Sequence, residues 1–396
     1  MSALRFVMAV WSVTRIGVAT IPQRLGSATV VVIGIAGVVG VLIAILAMGA
    51  GFEKTLLETG SNDTAIVLQG RQRFEGGSSL DPASVALVSQ LSHIRRNASD
   101  QPMLSPEQLT AATLPKKSTG LDASIALRGV GERVWEVWPH IELVAGRKLQ
   151  PGLSELMVGK GAYEKFAGLE LGSKVTFDGQ PWRVVGVFES GDARDSELWV
   201  DVQVFSAAYR RGNTVNSLIV RLRDDQAFRS FEQVLESDPR LEVNVQTTRQ
   251  YYQSLSEALA RMIRIVGHSI GAIMALGAVF SALNATYMAV ATRAREIATL
   301  RAMGFERGTL IVSVVLETML LAALGGALGA AITWLLFDGF TASTLGGAGQ
   351  IVFAFDVSPQ LIRDGLIWAL TIGLVGGLFP AIRAARLPIV AGLREL

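Results

Sequence analysis

Two stretches of 28 residues, 25–52 and 265–292, contain no Asp, Glu, Lys or Arg. A helix on the surface of a water-soluble protein cannot dispense with a polar face over that length. A helix crossing the hydrocarbon core of a bilayer needs about 20 mostly apolar residues, because its backbone polar groups find partners only within the helix. A third run, 308–337, holds one acid, Glu317, and a fourth, 365–382, has 18 residues with Pro380 near its end. The chain is therefore expected to span a membrane four times with most of its 396 residues outside lipid, in keeping with a mean hydropathy of +0.40. A cleaved leader ending near Ala47-Met48-Gly49-Ala50 is the competing reading of the first run. The apolar part of a leader is only about 7 to 15 residues long, which favours a span.

Lys and Arg in short loops stay on the cytoplasmic side. Residues 1–24 carry Arg5, Arg15 and Arg24 and no acid; 293–307 carry four Arg against two Glu; 383–396 carry three Arg against one Glu. The 338–364 loop has three Asp and one Arg. Both termini and the 293–307 loop are thus placed inside. Residues 53–264, with 25 basic and 27 acidic residues, then lie outside, since a domain that long is translocated largely regardless of its charge. The plan is an interfacial segment (1–24), a first span (25–52), an outer domain (53–264), a second span (265–292), an inner loop (293–307), a third span (308–337), an outer loop (338–364), a fourth span (365–382) and an inner tail (383–396). The fold class is membrane α-helical, with a mixed α/β extracytoplasmic domain inserted between spans 1 and 2.

Within the outer domain, β-branched or alternating runs predict strands at 65–68, 125–128, 174–177, 182–188, 198–202, 217–223 and 241–245. Asp81-Pro82 caps a helix running to about His93, residues 160–167 form a helix stopped by Gly168, and 225–236 form another that ends before Pro239. The Gly/Ser-rich stretch 70–79 reads as a mobile loop.

The absence of cysteine excludes disulfides, thiolate zinc sites and iron–sulfur clusters, and the three histidines are too few for most metalloenzymes. A net charge of +2 gives no case for nucleic acid. No phosphate-cradling Gly-x-x-x-x-Gly-Lys-Ser/Thr occurs; the nearest approach, 168–174, has Ser173 where the motif needs Lys. His-Glu-x-x-His and Gly-x-Ser-x-Gly are missing too. No catalytic, metal or cofactor site is expected on this chain, so any active transport must draw its energy from a partner or a gradient.

Glu317 is the one acid at membrane depth, which makes it a candidate proton carrier or substrate contact with His268 and Asn284 as the polar groups on offer. The preferred reading is that Glu317, about two to three turns from the cytoplasmic end, snorkels to the interface or pairs with an Arg of the preceding loop. Gly267/Gly271, Gly325/Gly329 and Gly373/Gly377 are four residues apart, a spacing that lets helices approach closely in lipid, between spans or between subunits. Trp334 and Trp368 fall where an aromatic belt would anchor the outer ends of spans 3 and 4. Leu4, Val7, Met8 and Trp11 share one helical face, as in a helix lying at the cytoplasmic interface. Finally, 248–266 has no Gly or Pro, and Tyr252, Leu255, Leu259, Met262 and Val266 recur at spacings of 3, 4, 3 and 4. This predicts a stalk, about 248–264, prolonging span 2 outward and packed on an extension of span 1, about 51–61, through Phe52 and Leu56.

The inner loop holds Arg295-Glu296-Ile297, then Leu300-Arg301-Ala302 and Gly304; the tail runs from Pro380 through Arg383 and Arg386 to Pro388, Leu393 and Arg394; and 129–189 contains Ala145-Gly146-Arg147, Val158-Gly159, Leu171-Gly172 and Val184-Val185-Gly186-Val187. On these residues and the four-span plan, the chain resembles the MacB/FtsX-like permeases of ABC transporters. The resemblance implies a permease of the bacterial inner membrane and a separate ATPase subunit that binds ATP and Mg. It also implies a second permease copy, identical or paralogous, and a periplasmic adaptor protein. The 293–307 loop becomes a coupling helix whose Ile297, Leu300 and Gly304, with Arg301 at the edge and Arg295 and Glu296 beside them, dock on that ATPase. Export driven by mechanical transmission is the leading function; activation of a periplasmic partner such as a cell-wall hydrolase, or lipoprotein release, are the alternatives.

Overall fold

The computed structural model describes residues 3–224, 226–346, 349–386 and 388. Its helices are α1 (Ala3–Ala19), α2 (Leu25–Thr59), α3 (Pro82–Ser89), α4 (Val134–Val137), α5 (Lys160–Lys165), α6 (Val202–Ala208), α7 (Ala227–Ser237), α8 (Thr248–Thr292), α9 (Ala294–Ala302), α10 (Arg307–Phe337) and α11 (Pro359–Arg386). The strands are β1 (Thr64–Gln69), β2 (Leu104–Pro115), β3 (Asp122–Val130), β4 (Glu142–Gly146), β5 (Glu155–Gly159), β6 (Lys174–Phe177), β7 (Gln180–Glu189), β8 (Glu197–Asp201), β9 (Ser217–Arg221), β10 (Val243–Thr247), β11 (Thr341–Gly346) and β12 (Gly349–Ala354). The chain divides into a helical unit (1–50, 261–340, 355–396) and a sheet unit (51–260, 341–354), to both of which α2 and α8 contribute residues. Among the described residues, α2, α8, α10 and α11 are long and apolar enough to cross a membrane.

In the helical unit, glycines bring the spans together. A Cβ on Gly325 of α10 would lie 2.7 Å from the carbonyl oxygen of Val32 on α2, and one on Gly271 of α8 would lie 2.9 Å from Leu42 on α2. Gly376 of α11 faces Ala282 of α8 at 2.6 Å, and Gly326 of α10 faces Ala369 of α11 at 2.7 Å. The glycine pairs are therefore contacts between spans of one chain. Between residues 260 and 282 of α8 the buried positions are Ala260, Ile263, Gly267, Gly271, Ala275, Ala278 and Ala282, whereas Met262, Ile265, Val266, Ile273 and Phe280 are exposed. This corrects the predicted seam: Leu259 is half-buried and Met262 lies outside it, because the buried face is rotated by one residue, about 100°. Lipid is as apolar as leucine, so burying a bulky side chain gains little there, and small residues take the interface instead. On α1, Val10, Val13, Thr14 and Gly17 turn inward while Val7, Met8 and Trp11 are exposed; the side chain of Leu4 lies outside the described residues, as do Leu393 and Arg394 of the tail.

The sheet unit is one mixed sheet in the order β10-β1-β9-β2-β3-β8-β5-β7-β4, with β6 on β7; β3/β8 and β5/β7 are parallel. Both faces are covered. Ile66 and Leu68 of β1 enter one core while Ala65 and Val67 enter the other, and Met157 of β5 lies opposite Leu156 and Val158 in the same way. Two covered faces make such strands read as continuous apolar runs. Strands were expected at most of these places, but β2, β4 and β5 were not: Leu104–Pro115 contains two prolines and a buried Glu107, which hide its alternation. Asp81 caps α3 as expected, accepting from the backbone N–H of Ala83 and Ser84 at 2.8 and 3.0 Å, although that helix ends at Ser89. The 338–364 loop contains the β11–β12 hairpin. The 70–79 stretch is no mobile loop around its centre, for Glu75 is 3% exposed and fully hydrogen-bonded.

Close approach by glycine yields a direct test. Gly325→Leu should destabilise the detergent-solubilised chain by roughly 1–3 kcal/mol or more, since backbone must move to admit the side chain. Gly37→Leu on α2, where a Cβ meets nothing within 4 Å, should leave the thermal unfolding midpoint unchanged. Equal midpoints for both variants would contradict the packing described.

Candidate functional site

Arg128 of β3 projects into the sheet unit with 6% of its surface exposed. A guanidinium has five N–H donors in a fixed fork, and here all five are used. Nε and Nη2 grip Glu197 of β8 at 2.9 Å each, Nη1 donates to Glu75 at 2.8 Å and to Glu107 of β2 at 2.9 Å, and Nη2 also reaches Glu75 at 3.3 Å. Glu75 accepts further from Ser217 Oγ (2.6 Å) and from the Tyr251 hydroxyl on α8 (3.3 Å), and Glu197 from Trp199 Nε1 (2.8 Å). One cation thus ties β2, β3, β8, β9 and the 75–77 turn to the first turns of α8.

Burial pushes Glu75 upward, but the charge of Arg128 and its hydrogen bonds hold it below the ordinary carboxylate range. Glu107 has a single contact to Arg128 and faces Glu75 and Glu197; burial raises it to about 7.

Arg194 (4% exposed) does for α2 what the Arg128 cluster does for α8. The last carbonyls of a helix have no partner inside it. Arg194 Nη1 donates to the carbonyl of Thr59, the final residue of α2, at 2.9 Å, and to Asp192 Oδ2 at 2.9 Å, while Ala193 N donates to Thr59 Oγ1 at 3.0 Å. The guanidinium lies 3.6 Å from the ring centre of Trp138 and 5.6 Å from that of Tyr252. Burial opposes the ionisation of Asp192, yet Arg194 and the His140, Ser190 and backbone hydrogen bonds keep it below the usual range. Beside these clusters Phe52, Leu56, Tyr252 and Leu255 line one cavity of about 80 Å³, so four of the six expected stalk residues are brought together; Leu259 and Met262 are not among them.

In the helical unit, Glu317 is 6% exposed and paired with Arg24, which precedes α2, and with Arg293 Nη1 (3.3 Å), which precedes α9; Arg293 Nε also holds Glu296 at 2.9 Å. Gly17 of α1 leaves room for the carboxylate, since a Cβ there would lie 2.6 Å from it. His268 and Asn284 are not part of this site: both are exposed on α8, and His268 Nδ1 lies 2.7 Å from the carbonyl of Arg264 on its own helix.

Helix α9 faces the other way from expectation. Ile297 is 6% exposed and packs with Val13, Val290, Leu310 and Ala384, with Leu300 and Phe305 against them, so these apolar side chains serve the protein's own core. Gly304 (φ +97°) closes α9: its N–H bonds to the Arg301 carbonyl and that of Phe305 to the Leu300 carbonyl, the pattern of a left-handed cap. Exposed on the opposite side are Arg295, Glu296, Thr299, Ala302 and Met303, while Arg301 is half-buried.

No motif or span pattern in the sequence points to Arg128, Arg194 or the three glutamates. The available signal was a charge inside a strand whose neighbours are apolar, as in Ile125-Ala126-Leu127-Arg128.

Residues 28–238 match the MacB-like periplasmic core domain, and 269–389 the FtsX-like permease C-terminal domain. The chain belongs to the MacB/FtsX-like ABC transporter permeases. It is 24% identical over 394 residues to the macrolide export ATP-binding/permease protein MacB of Neisseria gonorrhoeae, covering 92% of this chain and 57% of that one. The same identity and coverage hold over 399 residues for the protein of that name from Burkholderia thailandensis. This permease therefore spans somewhat over half the length of the curated relatives it matches. The periplasmic region of MacB from Actinobacillus actinomycetemcomitans aligns at 19% identity with 48% of this chain and 92% of its own (TM-score 0.36). The extracellular domain of the noncanonic ABC-type transporter YknZ from Gram-positive bacteria aligns at 17% with 46% and 98% (TM-score 0.35).

Glu107 supplies a pH test of the permease's Arg128 cluster. A carboxyl raised from 4.5 to about 7 on folding favours the folded state below about pH 4.5, and that contribution is lost as pH rises through 7. Glu107→Gln keeps an acceptor for Arg128 and cannot ionise. At pH 8 the variant full chain should unfold at a higher temperature than the parent, with a stability greater by roughly 1–3 kcal/mol, and at pH 4 the two should coincide. A parent more stable than the variant at pH 8 would mean that the ionised carboxylate is required.

Proposed function

We propose that this chain is a permease subunit that converts ATP hydrolysis by a separate ATPase into movement of its sheet domain on the far side of the membrane, driving export. The observation that carries the reading is that α2 and α8 each run uninterrupted from a membrane-spanning stretch to a hydrogen-bonded end in the sheet unit, at Thr59–Arg194 and at Tyr251–Glu75–Arg128. At 1.5 Å per residue, the 45 residues of α8 measure about 67 Å, roughly twice the hydrocarbon thickness. On this reading a push on the inner ends travels along α2 and α8.

On this reading both termini and α9 are cytoplasmic and the sheet domain is periplasmic, in the bacterial inner membrane. The exposed face of α9, with Arg295, Glu296, Thr299 and Met303, meets the ATPase, which binds ATP and Mg. Glu317 passes the displacement on, because it joins the start of α9 to α10 and to the residue before α2. A second permease copy completes the complex, and a periplasmic adaptor receives the exported substrate. The matched relatives are named as macrolide exporters, which supports export over signalling.

Because the chain has no cysteine, single thiols report on it cleanly. A Cys at exposed Leu121 should react with an impermeant maleimide in cells with a permeabilised outer membrane, and one at Thr299 should not; the reverse pattern would invert the topology. Met303→Asp, placing a charge on the proposed docking face, should lower complex-dependent ATP turnover at least tenfold with the permease still inserted. Glu257 is exposed within α8, so Glu257→Pro kinks the stalk without removing a core side chain. Spin labels at Leu121→Cys and Thr292→Cys should show an ATP-dependent change of distance in the parent complex that the kinked variant loses while still hydrolysing ATP. Retained movement in Glu257→Pro would sink the stalk as the transmitting element.

A further inference from the structure

Hairpin β11–β12 is continuous in the chain with α10 on one side and α11 on the other, and it meets the sheet unit through close backbone approach as well as side-chain contacts. A Cβ on Gly349 would lie 2.6 Å from the carbonyl carbon of Ile125 and 2.9 Å from its Cα, so the start of β12 rests directly on the backbone of β3. Val352 N donates to Ser196 Oγ at 2.7 Å, Lys165 Nζ reaches Thr341 Oγ1 at 3.2 Å, and Phe353 meets Phe52 edge to face with ring centres 5.6 Å apart. The receiving residues form a short run. Ala193 and Arg194 hold the end of α2, Ser196 holds β12, and Glu197 holds Arg128. Five consecutive residues therefore gather the end of one stalk, the hairpin and the cluster that binds the other stalk.

We propose that the β11–β12 hairpin is a third driven linkage, through which spans α10 and α11 act on the 193–197 turn together with the two stalks, and that Gly349 and Ser196 are its positioning residues. The inference rests on the mechanical reading above. Its physical basis is that a strand seated by close backbone approach at Gly349, with its Val352 N–H held by the Ser196 hydroxyl, transmits displacement along its length, whereas a loop touching only through mobile side-chain tips would absorb it. The approaches to the hairpin are braced as well. In the helical unit Gly339 N bonds to the Phe355 carbonyl at 3.1 Å, Phe355 N to the Phe340 carbonyl at 2.9 Å, and Val357 N to Asp338 Oδ1 at 3.1 Å, so the two connecting segments pair with each other.

The experiment uses the full permease with its ATPase and the Leu121/Thr292 label pair. Six Gly/Ser residues inserted before Thr341 and six after Ala354 leave the hairpin's own sequence intact but slacken its ties to α10 and α11. The ATP-dependent change in label distance should fall at least threefold while ATP turnover stays within twofold. In an unlabelled background, oxidation of Ser196→Cys/Val352→Cys should cross-link the slackened chain as well as the parent, which establishes that the hairpin is still seated. Gly349→Val, which cannot seat, should abolish that cross-link and lose the same movement. An undiminished distance change in the slackened, cross-linkable variant overturns the hairpin's role and leaves the stalk reading standing; no ATP-dependent change in the parent overturns the mechanical reading itself.

Discussion

A guanidinium withdrawn from water is costly unless its N–H groups find acceptors, and removing one partner of such a buried pair costs about 3–5 kcal/mol. Arg128 meets that demand from three carboxylates that belong to three separate segments of the sheet unit. The requirement dictates local structure around it. The Gly-rich 70–79 segment has to turn inward to deliver Glu75, β2 must carry Glu107 despite its position in an apolar core, and Tyr251 must face inward from α8. Hydrophobic burial would tolerate many registers of α8 against the sheet; a hydrogen-bonded ion cluster tolerates very few. It therefore fixes the angle and the register at which one stalk meets the sheet, as Arg194 does for the other.

Different physics governs the helical unit. Where the surroundings are apolar, area burial no longer discriminates inside from outside, and contact distance does. That is why Gly271, Gly325 and Gly376 mark the seams while Ile273 and Phe280 point outward. Such a bundle is held by close backbone approach together with a few polar contacts such as Thr333 Oγ1 to the Gly40 carbonyl at 3.1 Å and the Glu317 pairs.

Legibility in the sequence followed the same division. Spans announce themselves by the absence of charge, and strands with two covered faces by their apolar runs, so the four spans and strands such as β8 and β9 could be placed from residues alone. The stalk is recognisable from its missing Gly and Pro, but its buried face is displaced by one residue, onto Tyr251, Ser256, Ala260 and Ile263. Glu317 could be paired with a loop Arg by charge and proximity in sequence; Arg24, far from it along the chain, could not. The buried clusters stayed hidden for a related reason. A lone charge in a strand looks the same whether it faces solvent or three carboxylates from distant segments. The hairpin carries a β signal in Ile351-Val352-Phe353, but the small residues of Thr341–Gly346 dilute it, and nothing in either run tells that it seats against β3.

The inward turn of Ile297 and Leu300 has a consequence for coupling. An apolar face donated entirely to the ATPase would leave α9 attached to its own chain only through the peptide links at either end, and docking energy would go into moving a loose segment. Buried against Val13, Leu310 and Ala384, and ended by the left-handed Gly304, α9 instead becomes part of the bundle. Displacement of its exposed side must then carry α1 and α10 with it through packing, and the residue preceding α2 through Glu317. On the proposed reading, the contact that denies Ile297 to a partner is thus what would allow a partner's push to reach the first and third spans together.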